Sequence, residues 1–261
     1  MRVPVLIESR DKTLTGVLHI AKKQRKTPVC AIMCYGLNGN RAEQHRMSVK
    51  LARMCEDKGI NFLRFDYADV GLSDGDFFCS TLCERIQNAL DAESFLAGCF
   101  NSDIRLYPIG FSDGAKIALT SFAHSEHIGG IILLNPIINI DSKPSKAREA
   151  CKLALHPVYK KPYKALYGNC LNTQVLREME SDRSLYMINP QTAMLFIFGS
   201  KDAFTEDIRS FLEDHLQNHS NKAFKLIEGA GHLFGRSDYE AAANAQTISW
   251  ILEKEIHNGY L

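Results

Sequence analysis

Short apolar runs alternate with longer amphipathic stretches along most of this chain of 261 residues. Apolar runs of roughly four to eight residues with polar or glycine boundaries predict buried strands, and the stretches between them predict helices. The pattern predicts strands at 3–9, 13–20, 28–34, 60–66, 104–109, 129–135, 193–198 and 223–228. It predicts helices at 42–58, 81–99, 113–125, 204–218 and 239–256. This order is typical of an α/β fold with a doubly wound, mostly parallel sheet, here with an antiparallel pair at the N-terminus.

The alternation is interrupted between residues 137 and 190. We expect a single domain over residues 1–261, since α/β domains of this length commonly stay undivided, with a cap or lid inserted at 137–190. Tyrosines and apolar residues in this insertion are interleaved with seven basic residues, namely Lys143, Lys146, Arg148, Lys152, Lys160, Lys161 and Lys164. Two interpretations stay open: a solvated basic face packed on the body, or a lid that attracts an acidic partner or an anionic acyl group.

A serine lies between two glycines where the predicted strand 104–109 gives way to the helix 113–125. Residues 110–114 read Gly-Phe-Ser-Asp-Gly, with Ser112 at the centre. Strand, G-x-S-x-G and helix in this order predict a nucleophile elbow, a tight turn that exposes a serine hydroxyl at the carboxyl end of a strand. Side chains at the glycine positions would collide with the turn. Ser112 is therefore a candidate nucleophile.

Two further residues complete a catalytic triad in the chain order expected for such a serine. Asp202 follows the apolar run 193–198, and His232 lies in a glycine-flanked turn after strand 223–228. The carboxyl ends of parallel strands meet at one edge of a sheet, so we expect the three side chains to lie together there. In that arrangement His232 takes the proton of Ser112, and Asp202 orients the imidazole.

An acyl-transfer site also needs backbone N–H groups that bind the oxyanion. The first donor is predicted to be Asp113, directly after the serine and at the positive end of its helix. The second is predicted to be Leu37, in a loop with two glycines that follows strand 28–34.

The chain resembles an α/β-hydrolase of the serine esterase group that contains feruloyl/cinnamoyl esterases and serine aminopeptidase-like hydrolases. The resemblance rests on the elbow, on a G-x-x-D segment at Asp202 and a G-x-x-H segment at His232, and on residues 63–75. That last segment is similar to the family pattern F-D-x-R-G-x-G-x-S-x-G. The match covers residues 1–135 and 190–261. The chain departs from the family at three places: Tyr35-Gly36 replaces His-Gly, Ala68-Asp69 replaces Arg-Gly, and Asp113 stands where the family has Met or Gln.

The resemblance implies a serine hydrolase that cleaves a carboxylic ester through an acyl-enzyme, without metal or other cofactor. Two alternatives stay open: a thioesterase or acyltransferase acting on acyl groups of an acyl carrier protein or CoA, and a non-catalytic small-molecule receptor on the same scaffold. Candidate substrate-binding residues are Tyr35, Phe111, Tyr159, Tyr163 and Leu233.

Composition gives no indication of a nucleic acid or a membrane as partner. A net charge of +1 gives no reason to expect nucleic acid, and no apolar run is long enough for a membrane span. The first residues lack the features of a secretory signal. Of the eight cysteines, Cys30 and Cys34 lie in a predicted buried strand and Cys55 and Cys99 in or near predicted helices, so free thiols are the simplest interpretation and we expect a cytoplasmic protein. Cys79 and Cys83 lack a neighbouring histidine, and no metal site is expected. Expected partners are an ester or thioester substrate and, on the lid interpretation, an acyl carrier protein. A homodimer is left open.

Overall fold

The computed structural model describes residues 1–101, 103–138, 153–166, 168–181, 183–187 and 189–257. The strands in these ranges are β1 (Arg2–Ser9), β2 (Lys12–His19), β3 (Val29–Cys34), β4 (Ile60–Phe65), β5 (Arg105–Phe111), β6 (Ile131–Leu134), β7 (Leu153–Leu155), β8 (Pro162–Leu166), β9 (Asn169–Asn172), β10 (Met194–Gly199) and β11 (Lys222–Ile227). The α-helices are α1 (Met47–Asp57), α2 (Leu82–Cys99), α3 (Gly114–Phe122), α4 (Thr173–Glu180), α5 (Glu206–His215) and α6 (Ser237–His257).

Eight of these strands form the central sheet, in the order β1-β2-β4-β3-β5-β6-β10-β11. The first strand pairs antiparallel with β2, and β2 pairs antiparallel with β4. From β4 to β11 all neighbouring strands run parallel. The predicted fold class is confirmed, and each predicted strand is present within two residues of its predicted limits.

One predicted helix begins later than its sequence pattern indicates. The apolar spacing predicts a helix over 42–58, whereas α1 begins at Met47. Glu43, His45 and Arg46 have φ angles of 60°, 40° and 65°, which are left-handed values that a right-handed helix cannot contain. These residues form an irregular connection between the loop after β3 and the first turn of α1.

Both faces of the sheet are covered by helices. β3, β4 and β10 are buried at every residue, as expected for parallel strands between two layers. The core on one face includes residues of α2, α3 and α5, and the core on the other includes residues of α1 and α6. The carboxyl ends of β3, β5, β6, β10 and β11 all lie at one edge, so the loops that follow them are neighbours there.

The insertion predicted at 137–190 is described in part, since residues 139–152, 167, 182 and 188 lie outside the described ranges. Strands β7, β8 and β9 form a separate antiparallel sheet, followed by α4. Asn172 Nδ2 donates to the carbonyl of Ser80 at 3.0 Å, and the N–H of Leu82 donates to Glu178 Oε2 at 2.7 Å. These bonds attach the described part of the cap to the start of α2. Of the seven basic residues, Lys143, Lys146, Arg148 and Lys152 lie outside the described ranges.

Over the part of the chain that the structure describes, none of the helices combines the length and the apolar character needed to cross a membrane.

Candidate active site

Ser112 occupies the turn between β5 and α3 with a φ of 55°. Non-glycine residues rarely adopt this left-handed conformation, and it persists only where the surrounding structure fixes it. The Ser112 N–H donates to the Leu134 carbonyl at 3.0 Å, and the Ser112 carbonyl accepts the Ile137 N–H at 3.0 Å. Hydrogen bonds to the neighbouring strand β6 and the residues after it therefore hold the serine in its strained backbone.

The two glycines around the serine allow close backbone packing. A Cβ added at Gly114 would lie 2.1 Å from the carbonyl oxygen of Cys34, and one added at Gly110 would lie 2.7 Å from the Cα of Ala115. Both distances are far below van der Waals contact. The elbow therefore excludes larger residues at these positions, for the steric reason that the motif predicts.

Three predicted residues form an unbroken row of hydrogen bonds at the carboxyl edge of the sheet. His232 Nε2 lies 2.9 Å from Ser112 Oγ, and His232 Nδ1 lies 2.7 Å from Asp202 Oδ2. Both Ser112 and Asp202 are buried, and the side chain of His232 is 16% exposed.

The bonds of Asp202 define which nitrogen of His232 carries the proton. A carboxylate only accepts hydrogen bonds, so Nδ1 donates to Asp202 and Nε2 presents its lone pair to the hydroxyl of Ser112. The other bonds of Asp202 come from the N–H of Phe204 and the hydroxyl of Thr205, both at 2.9 Å. These bonds fix the carboxylate and therefore the orientation of the imidazole.

Asn135 and His45 hold the loop that carries His232. Asn135 lies directly after β6 and is fully buried. Its Nδ2 donates to the His232 carbonyl at 2.8 Å, and its Oδ1 accepts the N–H of Gly199 at 2.8 Å. His45 Nε2 donates to the Leu233 carbonyl at 2.9 Å. Neither residue is predicted from the sequence, because the contacts join segments far apart in the chain.

The loop of residues 35–40 carries the predicted oxyanion donor Leu37, and we name it the oxyanion loop after that prediction. It passes directly beside the serine. A Cβ added at Gly36 would lie 3.1 Å from Ser112 Cβ and 3.4 Å from its Oγ. The next N–H, that of Leu37, donates to no acceptor among the described residues. Asp113 is the N-cap residue of α3, so its N–H lies at the positive end of that helix.

A buried carboxyl group holds the oxyanion loop on one side of Leu37. Glu43 Oε1 accepts the N–H of Gly36 at 3.2 Å, and Oε2 accepts the N–H of Gln44 at 3.2 Å. Burial raises the pKa of Glu43 to about 7, while the two N–H donors and nearby His232 act in the opposite direction. In the sequence Glu43 cannot be distinguished from the other polar residues of the predicted helix 42–58. Its contact with the oxyanion loop therefore could not be predicted.

A buried guanidinium holds the same loop on the other side. Arg85 is 1% exposed, and its Nη1 donates to the carbonyl of Leu37 at 3.1 Å. Its Nε donates to Ser80 Oγ at 2.9 Å. Glu43 and Arg85 together fix the peptide groups on both sides of the Leu37 N–H.

Solved structures with the same architecture are numerous, although no protein-family model and no curated protein matches the chain. Est1E from Butyrivibrio proteoclasticus, solved with ferulic acid bound, has a TM-score of 0.77 at 21% identity and covers 96% of this chain and 98% of its own. The esterase domain of a Rhodothermus marinus protein has a TM-score of 0.72 at 17% identity, with 96% and 97% covered. A serine hydrolase homologue from Coxiella burnetii has a TM-score of 0.64 at 17% identity, with 95% and 96% covered.

The fold is that of the α/β-hydrolases. At these identities the likeness establishes the architecture of the chain, while its activity has to be argued from its own residues.

Asp113 brings an acidic side chain to the turn that carries Ser112. Asp113 Oδ1 accepts a hydrogen bond from Lys116 Nζ at 2.7 Å, and Lys116 is fully buried. The lysine compensates the carboxylate, so the site does not carry an unbalanced negative charge beside Ser112. The pair is not predicted from the sequence, although the spacing of three residues is one that brings side chains together on a helix.

Tyr35, at the position where the resembled family has a histidine, is the first residue of the oxyanion loop and supports the loop from within. Its side chain is fully buried, and its hydroxyl accepts the N–H of Tyr67 at 2.6 Å. Burial raises the pKa of Tyr35 well above its ordinary value, so the hydroxyl stays protonated. This placement disagrees with the expectation that Tyr35 contacts substrate, because the ring has no exposed surface.

The remaining candidate substrate residues lie in two places. Phe111 and Leu233 are beside the histidine: the Phe111 ring centroid is 5.6 Å from that of His232, and Leu233 is 45% exposed. Phe204, which is not among the residues predicted from the sequence, is 49% exposed and contacts the His232 ring edge-on, with ring centroids 5.2 Å apart.

Tyr159 and Tyr163 lie in the described part of the cap. Tyr159 stacks on Phe78 with ring centroids 4.9 Å apart, and Tyr163 lies edge-on to His156 at 5.8 Å. The contact of Tyr159 with Phe78 joins the insertion to the segment before α2, whereas that of Tyr163 with His156 lies within the insertion. A role in substrate binding stays a prediction for both tyrosines.

Side chains suited to a metal ion do not converge within the described ranges, where no group of three or more His, Cys, Asp or Glu residues could hold one. Cys79 and Cys83 are both exposed and free.

Proposed function

We propose that this chain is a serine hydrolase that cleaves carboxylic esters, with Ser112 as nucleophile, His232 as general base and Asp202 as the acid that orients it. The observation that carries the proposal is the row of hydrogen bonds from Asp202 through His232 to Ser112. The strained φ of Ser112 supports it, because strain of this kind is concentrated at functional sites.

The proposed reaction has two steps of acyl transfer. His232 Nε2 takes the proton of Ser112 Oγ as the oxygen attacks the ester carbonyl carbon, and Asp202 stabilises the imidazolium. The tetrahedral intermediate collapses when His232 returns the proton to the leaving alcohol, which leaves an acyl group on Ser112. Water, activated by the same histidine, then releases the carboxylic acid and restores the serine.

The oxyanion of each tetrahedral intermediate is proposed to bind the N–H groups of Leu37 and Asp113. The close approach of Gly36 to Ser112 and the anchoring of the loop by Glu43 and Arg85 support this assignment. In comparable sites one such donor contributes about 3 kcal/mol to stabilisation of the transition state.

An apolar or aromatic acyl group fits the surroundings of His232. Phe111, Phe204 and Leu233 surround or adjoin the imidazole with apolar surface, of which Phe204 and Leu233 are about half exposed. Est1E, a solved structure of the same fold, has the aromatic acid ferulic acid bound. We therefore propose esters of small or aromatic carboxylic acids as substrates of a protein expected in the cytoplasm.

The proposal is tested with p-nitrophenyl esters of graded acyl length and with aromatic acyl esters. Ser112→Ala is expected to abolish turnover while its melting temperature stays close to that of the wild type. Ser94→Ala, at an exposed serine of α2, is the matched control and is expected to keep full activity. Turnover by Ser112→Ala at the wild-type rate would remove Ser112 from the mechanism.

A thioesterase or acyltransferase that serves an acyl carrier protein or CoA is the second candidate. Its specific support is the pair of exposed lysines Lys160 and Lys161 between β7 and β8, where an anionic carrier would meet the cap. Acyl-CoA and carrier-bound acyl groups, compared with the soluble ester of the same acid, separate the two reactions by their kcat/KM. A protein that binds these compounds without turning any of them over would be a receptor.

A further inference from the structure

A pocket of about 490 Å³ lies away from the proposed triad, between the end of β4 and the start of α1. Pockets that bind small molecules commonly have volumes of about 300–1,000 Å³. Three arginines, Arg41, Arg46 and Arg64, and the single acid Asp66 line it together with uncharged residues. None of the three proposed triad residues belongs to this lining.

Arg64 brings a buried positive charge to the pocket with no carboxylate partner among the described residues. It is 8% exposed, its Nε donates to His19 Nε2 at 2.8 Å, and its Nη1 donates to the Arg41 carbonyl at 3.2 Å. Because His19 Nε2 accepts this bond, the proton of the ring is on Nδ1, which faces Glu56. The ring is therefore neutral, in agreement with burial that lowers the pKa of His19. Both partners of Arg64 are uncharged.

The other charges around Arg64 leave the pocket positive. Burial and the repulsion from Arg41 lower the pKa of Arg64 to about 10; Asp66 acts in the opposite direction, and Arg46 and Arg53 add to the lowering. Asp66 is already engaged: its carboxylate forms an ion pair with the side chain of Arg41 and accepts the Arg41 N–H at 2.7 Å. The negative charge of Asp66 is thus compensated by Arg41 and does not neutralise Arg64.

Arg46 adds a second uncompensated charge at the first turn of a helix. It is the N-cap residue of α1, with a left-handed φ of 65° and no side-chain cap, and the first turn contains no acid. Its guanidinium is exposed and makes no ion pair with the described residues. The positive end of the α1 dipole reinforces the charge of Arg46 and Arg64.

We propose that the pocket lined by Arg41, Arg46 and Arg64 binds a small molecule through a phosphoryl group. A phosphate monoester carries about two negative charges near pH 7, which match the two uncompensated guanidinium groups. A guanidinium group can donate two parallel hydrogen bonds to two oxygens of one phosphate, and it is preferred over an ammonium group for this reason. The inference is independent of ester hydrolysis, because the pocket and the proposed triad share no residue.

The proposal is tested by isothermal titration calorimetry with inorganic phosphate near pH 7. Sodium chloride keeps the ionic strength constant. The wild type is expected to bind phosphate saturably. Arg64→Gln and Arg46→Gln are each expected to weaken the Kd about tenfold or more, the effect of losing one hydrogen bond between charged groups. Ser112→Ala should bind phosphate as the wild type does.

Arg53→Gln is the matched control, since it removes an exposed arginine of α1 that lies near Arg64 but outside the pocket lining. It is expected to bind phosphate like the wild type. Arg64→Gln alters a buried network and can lower the melting temperature. Arg46 is exposed, so Arg46→Gln tests phosphate binding without that effect. Absence of saturable binding to the wild type would overturn the proposal. Equal weakening by Arg53→Gln and Arg46→Gln would also overturn it, because it would indicate a diffuse field instead of a site.

Discussion

The buried carboxyl of Glu43 should make the stability of the protein fall as the pH rises from about 4.5 to about 7. Burial raises its pKa from 4.5 to about 7 in the folded chain. Between these values the folded protein keeps a proton that the unfolded chain has released, so increasing pH favours unfolding. This stabilisation is complete below the unfolded pKa and is lost as the pH passes the folded pKa.

The expected size follows from the difference between the two pKa values. At about 1.4 kcal/mol per pKa unit, the rise of the Glu43 pKa from 4.5 to about 7 corresponds to a loss of about 3 kcal/mol of unfolding free energy between these two pH values. Glu43→Gln cannot ionise, so this component should be absent from the variant. Glutamine offers one acceptor oxygen for the two N–H groups of Gly36 and Gln44, so a constant offset in stability is also expected.

Urea unfolding of wild type and Glu43→Gln from pH 4.5 to pH 8 measures the effect as a difference between two curves. The stability of the wild type relative to the variant should fall by about 3 kcal/mol across the series. Glu126→Gln, at an exposed turn residue, is the control and should run parallel to the wild type. Parallel curves for wild type and Glu43→Gln would refute the reasoning, and a difference that grows with pH would mean that Glu43 is a stabilised carboxylate.

Three further predictions concern the triad, the elbow and the cap. His232→Ala should lower kcat/KM about as much as Ser112→Ala, since the two act as one unit, and Asp202→Asn should leave more activity; a fully active Asp202→Asn would assign the orienting role to another acid. Gly114→Ala should lower the unfolding free energy by about 3 kcal/mol, because its Cβ would lie 2.1 Å from the carbonyl oxygen of Cys34, and unchanged urea unfolding would contradict this. Neutralising Lys160, Lys161 and Lys164 together should raise the KM of a carrier-bound substrate, with a smaller effect at high salt, and should leave the KM of a small ester unchanged. Equal effects on both substrates would mean that these lysines shape the substrate pocket or stabilise the lid.

The central strands of the sheet could be predicted because they are buried on both faces. A run such as 194–199 is apolar at nearly every position and bounded by polar residues, so its limits are visible in the sequence. The start of α1 could not be predicted in the same way. The predicted helix extends back to residue 42, although residues 43–46 are all polar. Glu43, His45 and Arg46 adopt left-handed conformations in the structure.

The residues proposed to react were visible in the sequence because each follows a strand in a glycine-containing turn. Ser112, Asp202 and His232 all occupy such positions, and the parallel sheet brings them to one edge. Asn135, which holds the loop of His232, and Glu43, which holds the oxyanion loop, were not visible. Their bonds reach backbone groups of other loops, and a polar residue with such bonds has the same appearance in a sequence as a solvent-exposed one.

The most direct test of the central claim is covalent labelling of the native protein with a fluorophosphonate, followed by mass spectrometry of the whole chain and of its peptides. A serine activated by His232 should add one phosphonyl group per chain at Ser112, none in Ser112→Ala, and far less in His232→Ala. An unlabelled wild-type protein, or a label on a different serine, would contradict the assignment of Ser112 as the nucleophile.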